Sequence, residues 1–117
     1  MKAIRVYQGH DGETHFEDVD LPTHPVANGT YVRTETLAAA ETMFAIQEPG
    51  FFADWHPAPT RRIFVMVSGN AEVGVSDGEM RTMRQGDVIL FEDVAGKGHT
   101  MRVIGDVPRV GLHVSLE

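Results

Sequence analysis

The chain has 117 residues, with 17 acidic and 10 basic side chains, a formal net charge of −7 and no cysteine. This length suits one domain with one hydrophobic core, so we expect a single domain over residues 1–117. The absence of cysteine excludes disulfides, thiolate metal ligands and a cysteine nucleophile. The basic residues are scattered apart from Arg61 and Arg62, so no basic patch favours nucleic-acid binding.

The sequence also shows no pattern typical of a membrane-spanning segment or a signal peptide. No stretch approaches the roughly 18 to 20 apolar residues that cross a bilayer. Residues 1–5 lead directly into polar sequence without the apolar run of a signal peptide. We therefore expect neither a membrane nor a nucleic-acid partner, and a cytoplasmic location.

Short β-branched and aromatic runs, separated by Gly, Pro, Asn and Asp, predict an all-β protein. Residues 3–7 and 14–19 flank a polar stretch, which indicates a hairpin of two strands. Residues 21–29 contain two prolines and predict a loop, after which residues 31–37 can be extended. The alanine run within 37–41 is the one place that favours a helical turn. We assign residues 1–30 to N-terminal strands and a loop, and residues 31–117 to a barrel.

The second half of the chain repeats this strand and turn pattern. The expected strands are residues 43–47, 63–67, 71–76, 88–91, 100–104 and 109–116. Residues 51–59 are expected to form a proline-bounded loop that carries Trp55 and His56. Asp77-Gly78 between apolar runs is a strong signal for a two-residue hairpin turn.

Alternation along a strand places residues of one parity on one face. The set predicted to point into the barrel is His56, Ala58, Arg62, Phe64 and Met66. Ile63, Val65 and Val67 would then form an apolar outward face. Such a face needs a cover, either a second sheet of the same chain or a second subunit. We expect a homodimer.

The fixed points Gly50, His56, Ala58, Arg62 and Gly69 have the spacing of the first cupin motif, G-x5-H-x-H-x3-E-x6-G. The chain therefore resembles the cupin family. Ala58 stands where that motif has its second histidine, and Arg62 stands where it has glutamate. The metal-binding motif is thus degenerate.

A second region resembles the second cupin motif, G-x5-P-x-G-x2-H-x3-N. It begins at Gly86 and ends with Gly96, Gly98 and His99. Two extra residues separate Gly86 from Gly96, and Val94 replaces the proline. The likeness covers roughly residues 44–116, and the asparagine position is also substituted.

The resemblance implies a double-stranded β-helix, a jelly-roll barrel of two antiparallel sheets, with a small-molecule pocket lined by His56, Arg62 and His99. Cupins commonly hold a divalent transition metal there. Here His56 and His99 are the two metal-ligand positions retained, so further ligands would have to be recruited. The polar candidates are Gln47, Asp54, Glu92, Asp93, His15 and His113. Arg62 places a permanent positive charge where an anionic ligand helps to neutralise a metal.

Three functions remain open. The first is a metal-independent enzyme of isomerase, lyase or dehydratase type, which acts on a small anionic or carbonyl metabolite. His99 would be its general base, His56 the acid partner and Arg62 the anion clamp. The second is a non-catalytic cupin that binds or senses a ligand, and the third is a metal-dependent oxygenase, isomerase or lyase with substitute ligands.

The residues expected to contact the ligand are Trp55, Phe64, Met66, Met101, Gln47 and Asp93, with Asp93 orienting His99. The alternative is that the apolar members only fill the barrel, and that Arg62 pairs with an acid such as Glu35 or Asp93. His15 either remains on an edge strand or approaches the barrel of a neighbouring subunit. Parity alone does not decide which face His113 occupies.

Overall fold

The structure is a computed structural model that describes all 117 residues and contains twelve β-strands and one 3-10 turn. The first six strands are β1 Lys2–Gln8, β2 Thr14–Asp20, β3 Thr23–Val26, β4 Tyr31–Thr34, β5 Ala39–Gln47 and β6 Phe52–His56. The other six are β7 Arg62–Ser68, β8 Asn70–Val75, β9 Met80–Met83, β10 Val88–Phe91, β11 His99–Ile104 and β12 Arg109–Leu116. No helix here has the length and apolarity required to cross a membrane.

The strands form two facing sheets and a separate hairpin. The larger sheet has six strands in the order β2-β1-β10-β7-β12-β5, and the smaller has four in the order β6-β11-β8-β9. The pairings are antiparallel except between β1 and β10, which run parallel. The sheets stay open, since no hydrogen-bonded strand pair joins one to the other. The predicted all-β architecture is confirmed, and the parallel β1–β10 pair is an addition to it.

The core lies between the inner faces of the two sheets. Its buried cluster consists of Val6, Phe16, Ala58, Phe64, Met66, Ala71, Val73, Val75, Met83, Ile89, Phe91, Met101 and Val103. Phe64 and Met66 are each 1% exposed, whereas Val67, which follows Met66 on the same strand, is 41% exposed. The predicted parity of β7 is therefore confirmed. Burying each large apolar side chain contributes about 1.5–3 kcal/mol.

The N-terminal hairpin is also confirmed, because β1 and β2 pair over their whole length. Buried Thr14 attaches it to the smaller sheet. Its Oγ1 donates to the carbonyl oxygen of Gly98 at 2.7 Å and accepts from the amide of Ser76 at 2.8 Å. The segment before His99 is therefore held by the first hairpin of the chain.

Two predictions near the N-terminus are wrong. The predicted loop at 21–29 contains strand β3, which pairs with β4, followed by a 3-10 turn at Ala27–Gly29. Pro25 is accommodated because an edge of a two-stranded ribbon faces solvent and needs no amide donor there. Because β4 pairs with β3 and not with either large sheet, the barrel does not begin at residue 31.

Two further segments differ from the sequence prediction because tertiary pairing decides them. The alanine run is extended, since β5 begins at Ala39 and pairs with β12, which outweighs the helix propensity of alanine. The expected loop at 51–59 contains strand β6, which pairs with β11. These pairings bring β5 and β6 to the two sides of the pocket.

Candidate functional site

A cavity of about 140 Å³ opens between the two sheets. His56, His99 and Met101 line it from β6 and β11, and Arg62, Arg109 and His113 line it from β7 and β12. The ring of Phe64 also lines the cavity. The pocket thus has a histidine side and a cationic side.

The two histidines of the first side are neighbours because β6 and β11 pair His56 directly with His99. Their ring centroids are 4.5 Å apart. Gly98 makes the approach feasible, since it has a positive φ of 74° and a Cβ there would lie 1.9 Å from the carbonyl oxygen of His56. A glycine is needed at this position for both conformation and space.

His99 belongs to a buried dyad with Asp93. Nδ1 of His99 lies 2.6 Å from Oδ2 of Asp93, whose side chain is fully buried. Because a carboxylate only accepts, Nδ1 carries a proton, and in the neutral imidazole Nε2 is then the nitrogen with the lone pair. The ring of Phe91 stacks on His99 at 4.4 Å between centroids and an angle of 27°. Hydrogen bond and stacking together fix the orientation of the imidazole.

Asp93 is itself positioned by the strand-to-loop boundary after β10. Its backbone carbonyl accepts from the amide of Ala58 at 3.0 Å, while its Oδ1 is buried without a partner. The expectation that Asp93 contacts His99 is met in this geometry.

His56 has the same tautomer, by a different contact. Its Nδ1 lies 2.6 Å from the carbonyl oxygen of Asp54, so Nδ1–H donates and Nε2 has the lone pair. Neither Nε2 makes a hydrogen bond within the protein, so both histidines keep an acceptor nitrogen for a ligand.

The cationic side is formed by Arg62, Arg109 and His113. Nη1 of Arg62 donates to Nδ1 of His113 at 3.0 Å, which places the proton of neutral His113 on Nε2. Burial, followed by the charges of Arg62 and Arg109, lowers the pKa of His113 to about 4. His113 is therefore neutral near pH 7 and presents a donor.

Arg109 is the most buried charged side chain of this wall, at 4% exposure. Its guanidinium lies over the ring of Phe64, 4.4 Å from the centroid, and donates to Oε1 of Gln47. The same ring packs against the ring of His113, with 4.6 Å between the centroids and an angle of 73° between the planes. Gly111 makes room, because a Cβ there would lie 2.1 Å from the Phe64 ring. Burial alone lowers the pKa of Arg109 to about 10.

No acidic side chain lines this cavity. The suggested pairing of Arg62 with Glu35 or Asp93 is wrong, because Glu35 lies 3.1 Å from His24 and Asp93 binds His99. Glu41 shares a second, smaller cavity with Arg62 and His113 but forms no ion pair there. The Nε atoms of Arg62 and Arg109 are both buried without a partner.

The structure brings together most of the residues singled out from the sequence. His56, His99, Arg62, Phe64, Met101 and Gln47 line the cavity, and Asp93 stands behind His99. Met66 is buried in the core and does not reach the cavity. Trp55 is 49% exposed and lines a different surface depression, because its parity on β6 is opposite to that of His56.

Two functional candidates were missed or left open. Arg109 was not singled out, and the face of His113 was undetermined. Their strand β12 alternates polar and apolar residues, with Val110 and Leu112 on the other side. The apolar side points away from the pocket here, which is the reverse of the usual arrangement for a sheet with one solvated face.

His15 lies outside the cavity. Its Nε2 contacts Asp11 at 2.9 Å and its Nδ1 contacts Asp77 at 2.9 Å. The hydrogen bond to Asp11 is the main cause of a raised His15 pKa, with Asp77 adding to it. This cluster fastens the N-terminal hairpin to the β8–β9 turn and has no contact with the candidate site.

The donor set does not fit a metal ion. No three His, Cys, Asp or Glu side chains are grouped so that they could hold one. Around His56 and His99 the remaining polar groups are guanidiniums, an amide and the donor His113, and the Asp93 carboxylate is engaged by His99. Two imidazoles beside fixed positive charges make a poor cation site. The side chains of this pocket therefore favour chemistry that needs no bound metal.

Comparison with known proteins supports the fold. The Cupin_2 domain of an XRE family transcriptional regulator from Enterobacter cloacae aligns with a TM-score of 0.52 and 23% identity, over 65% of this chain and 79% of that one. A double-stranded β-helix protein from Klebsiella pneumoniae aligns with a TM-score of 0.50 and 22% identity, over 78% and 80% of the two chains. A candidate ethanolamine utilization protein Q from Salmonella typhimurium aligns with a TM-score of 0.52 and 13% identity, over 99% and 95%.

These likenesses show that the chain has the cupin fold, as the motif spacing predicts. No protein-family model and no curated protein matches the chain. The similar structures differ in their described roles, and a fold shared at such identities does not specify an activity. The side chains of the pocket are therefore the basis for assigning a function.

Proposed function

We propose that this cupin-fold chain binds a small anionic or carbonyl-containing metabolite and catalyses acid–base chemistry on it, of isomerase, lyase or dehydratase type. The observation that supports this most directly is the buried Asp93–His99 dyad, with an acceptor nitrogen on the same cavity as two arginines. A base and a fixed positive charge in one small cavity are the two requirements for removing a proton next to a carbonyl group.

The chemistry follows from the roles of three groups. Nε2 of His99 takes a proton from the carbon next to the carbonyl, and Asp93 stabilises the imidazolium that forms. The negative charge that develops on the substrate oxygen is stabilised by the guanidinium of Arg62. Returning the proton to a different atom isomerises the substrate, and expelling a neighbouring hydroxyl eliminates water.

His56 is suited to the acid role. With Nδ1–H held by the carbonyl of Asp54, its Nε2 is the atom that gains and delivers a proton. Its ring centroid is 4.5 Å from that of His99, so both imidazoles reach the same small substrate. A pair of imidazoles in one pocket can divide the acid and base steps between them.

A screen of small carbonyl and hydroxy acids, followed by NMR in D2O, tests this proposal. The wild-type protein should exchange or convert a substrate, and His99→Asn should lower the rate by about 10²- to 10⁴-fold, which is the usual contribution of a general base. His10→Asn, in an exposed turn, is the matched control and should have wild-type activity. Saturable binding without turnover in any substrate would instead assign a non-catalytic binding or sensing role.

We also propose that the protein is a homodimer. The register aligns Phe44, Leu112, Val65 and Val88 in one row across four neighbouring strands of the larger sheet. Phe44 is 71% exposed and its neighbour Ile46 is 69% exposed. The same apolar patch on a second copy would cover this face through a two-fold axis.

Sedimentation velocity tests the dimer. We expect Phe44→Glu to shift the protein to monomer, because a charged side chain would be buried in the apolar face between the two subunits. Met80→Glu, which replaces a similarly exposed side chain on β9, should leave the dimer intact. A wild-type monomer at micromolar concentration would contradict the proposal.

A further inference from the structure

Arg109 has an unusual environment for a cation. Its side chain is almost completely buried, its Nε has no partner, and its contacts are an aromatic face and a neutral amide. A buried charge without a counter-ion is costly, and proteins normally pair it with an opposite charge. No carboxylate of this chain is within ion-pair distance of Arg109 or of Arg62. The cavity that Arg109 lines therefore has a positive charge that no carboxylate of the chain balances.

The cationic wall offers donors almost exclusively. Arg62 and Arg109 have only N–H groups, and Nδ1 of His113 is already occupied by Arg62, which leaves its Nε2–H. The amide oxygen of Gln47 is used by Arg109. A ligand group placed against this wall must consist of acceptors, and a neutral hydroxyl or amide would leave the positive charge unbalanced.

The volume of the cavity indicates the size of the ligand group that it can enclose. Its volume of about 140 Å³ is close to that of an engineered cavity of about 150 Å³ that binds benzene, so roughly six to eight heavy atoms fit. Phe64, Phe91 and Met101 provide an apolar lining for the carbon atoms.

We propose that the pocket selects a small monocarboxylate of about six to eight heavy atoms, with its carboxylate bound by Arg109 and Arg62 and its carbon chain directed toward His99. A planar guanidinium matches the two oxygens of a carboxylate in a two-point geometry. This inference rests on the proposed function, since it names the substrate class for the same site. It adds Arg109 as the residue that determines specificity for the anion.

Isothermal titration calorimetry with butanoate, 2-oxobutanoate and 3-methylbutanoate, each compared with its uncharged amide, tests the inference. At least one acid should bind at least 10-fold more tightly than its amide. Arg109→Gln should reduce that affinity at least 10-fold. Arg102→Gln is the matched control, because Arg102 also lies over a phenylalanine ring, at 4.5 Å from Phe52, but outside the cavity. It should change the affinity less than 2-fold.

Arg62→Gln repeats the test at a less buried position in case Arg109→Gln does not fold, as judged by circular dichroism. Equal binding of acid and amide, wild-type affinity in both arginine variants, or no binding by any of the three acids would each overturn the inference. Inorganic phosphate is titrated in parallel, and tighter binding of phosphate than of every carboxylate would overturn it too.

The same titrations with His99→Asn separate this inference from the proposed function. That variant lacks the base but keeps the cationic wall, so it should bind the carboxylate within about 3-fold of wild type without turnover. Turnover of a neutral carbonyl compound, with no affinity for carboxylates, would refute the carboxylate site and leave the acid–base proposal standing. Carboxylate binding without turnover in the wild type would support the carboxylate site and refute the acid–base proposal.

Discussion

Replacing Arg109 by methionine tests whether its guanidinium binds a ligand or stabilises the fold. Burial lowers the pKa of Arg109 to about 10. This value is well below the usual range of a guanidinium, and each pKa unit corresponds to about 1.4 kcal/mol. The desolvation of this side chain therefore opposes folding by about 3 kcal/mol, and Arg109→Met removes that cost.

The substitution also removes favourable contacts. Loss of the cation–π contact with Phe64 costs about 1 kcal/mol, and leaving the amide of Gln47 without its partner costs about 1–3 kcal/mol. The two sides nearly cancel. We expect the free energy of unfolding of Arg109→Met to lie within about 1 kcal/mol of wild type. Adding Gln47→Leu, which removes the unpaired amide, should make the double variant more stable than wild type.

Urea denaturation, monitored by far-UV circular dichroism without added anions, measures this balance. If the guanidinium stabilises the fold, its removal should lower the free energy of unfolding much more, since removing one partner of a buried charge pair costs about 3–5 kcal/mol. A loss of that size in Arg109→Met would refute the reasoning and make Arg109 a structural residue. With a binding carboxylate at 100 times its wild-type Kd, the wild type should gain about 2.7 kcal/mol, and the variant, which binds at least 10-fold more weakly, should gain no more than about 1.4 kcal/mol.

Four other outcomes are expected. Asp93→Asn should lower turnover by about 10²- to 10⁴-fold, because an amide no longer holds His99 in the tautomer with a basic Nε2; steady-state kinetics against an unchanged circular dichroism spectrum measures this. Gly98→Ala should cost more than about 2 kcal/mol in urea denaturation, since its Cβ would overlap the carbonyl oxygen of His56 at a positive φ. His15 has a raised pKa in the folded state, so its stabilising effect is complete below the unfolded pKa of about 6.5 and is lost as pH rises through the folded value; the pH dependence of Tm in this window should flatten in His15→Gln. Dialysis against EDTA should leave turnover unchanged, and elemental analysis that finds about one transition metal per chain, lost in His56→Ala, would instead support a metal-dependent enzyme.

Some of the site could be predicted because it depends on local spacing. The separation of His56 from Arg62 and the glycines around them indicated the fold, and strand parity correctly placed Phe64 and Met66 inside. The same parity rule applied to β6 would have excluded Trp55, but that required knowing that residues 52–56 form a strand. The sequence of residues 51–59, which is bounded by prolines, does not show that part of it pairs with β11.

The sequence by itself determined the all-β class, the N-terminal hairpin and the side of β7 that faces inward, because periodicity and turn residues act over a few positions. It also indicated the turn at Asp77-Gly78, but the connection between β8 and β9 is longer than the predicted two residues and covers residues 76–79. The sequence also predicted that Asp93 orients His99, six positions along the chain, and the structure places the two in contact. Only the tertiary structure decided that Arg109 and His113 join Arg62 in one wall. These contacts depend on β12 pairing with β7, across more than forty positions of chain. The polarity of β12 alone cannot identify the inward face when its apolar side faces outward, and for that reason the cationic wall could be recognised only in the folded chain.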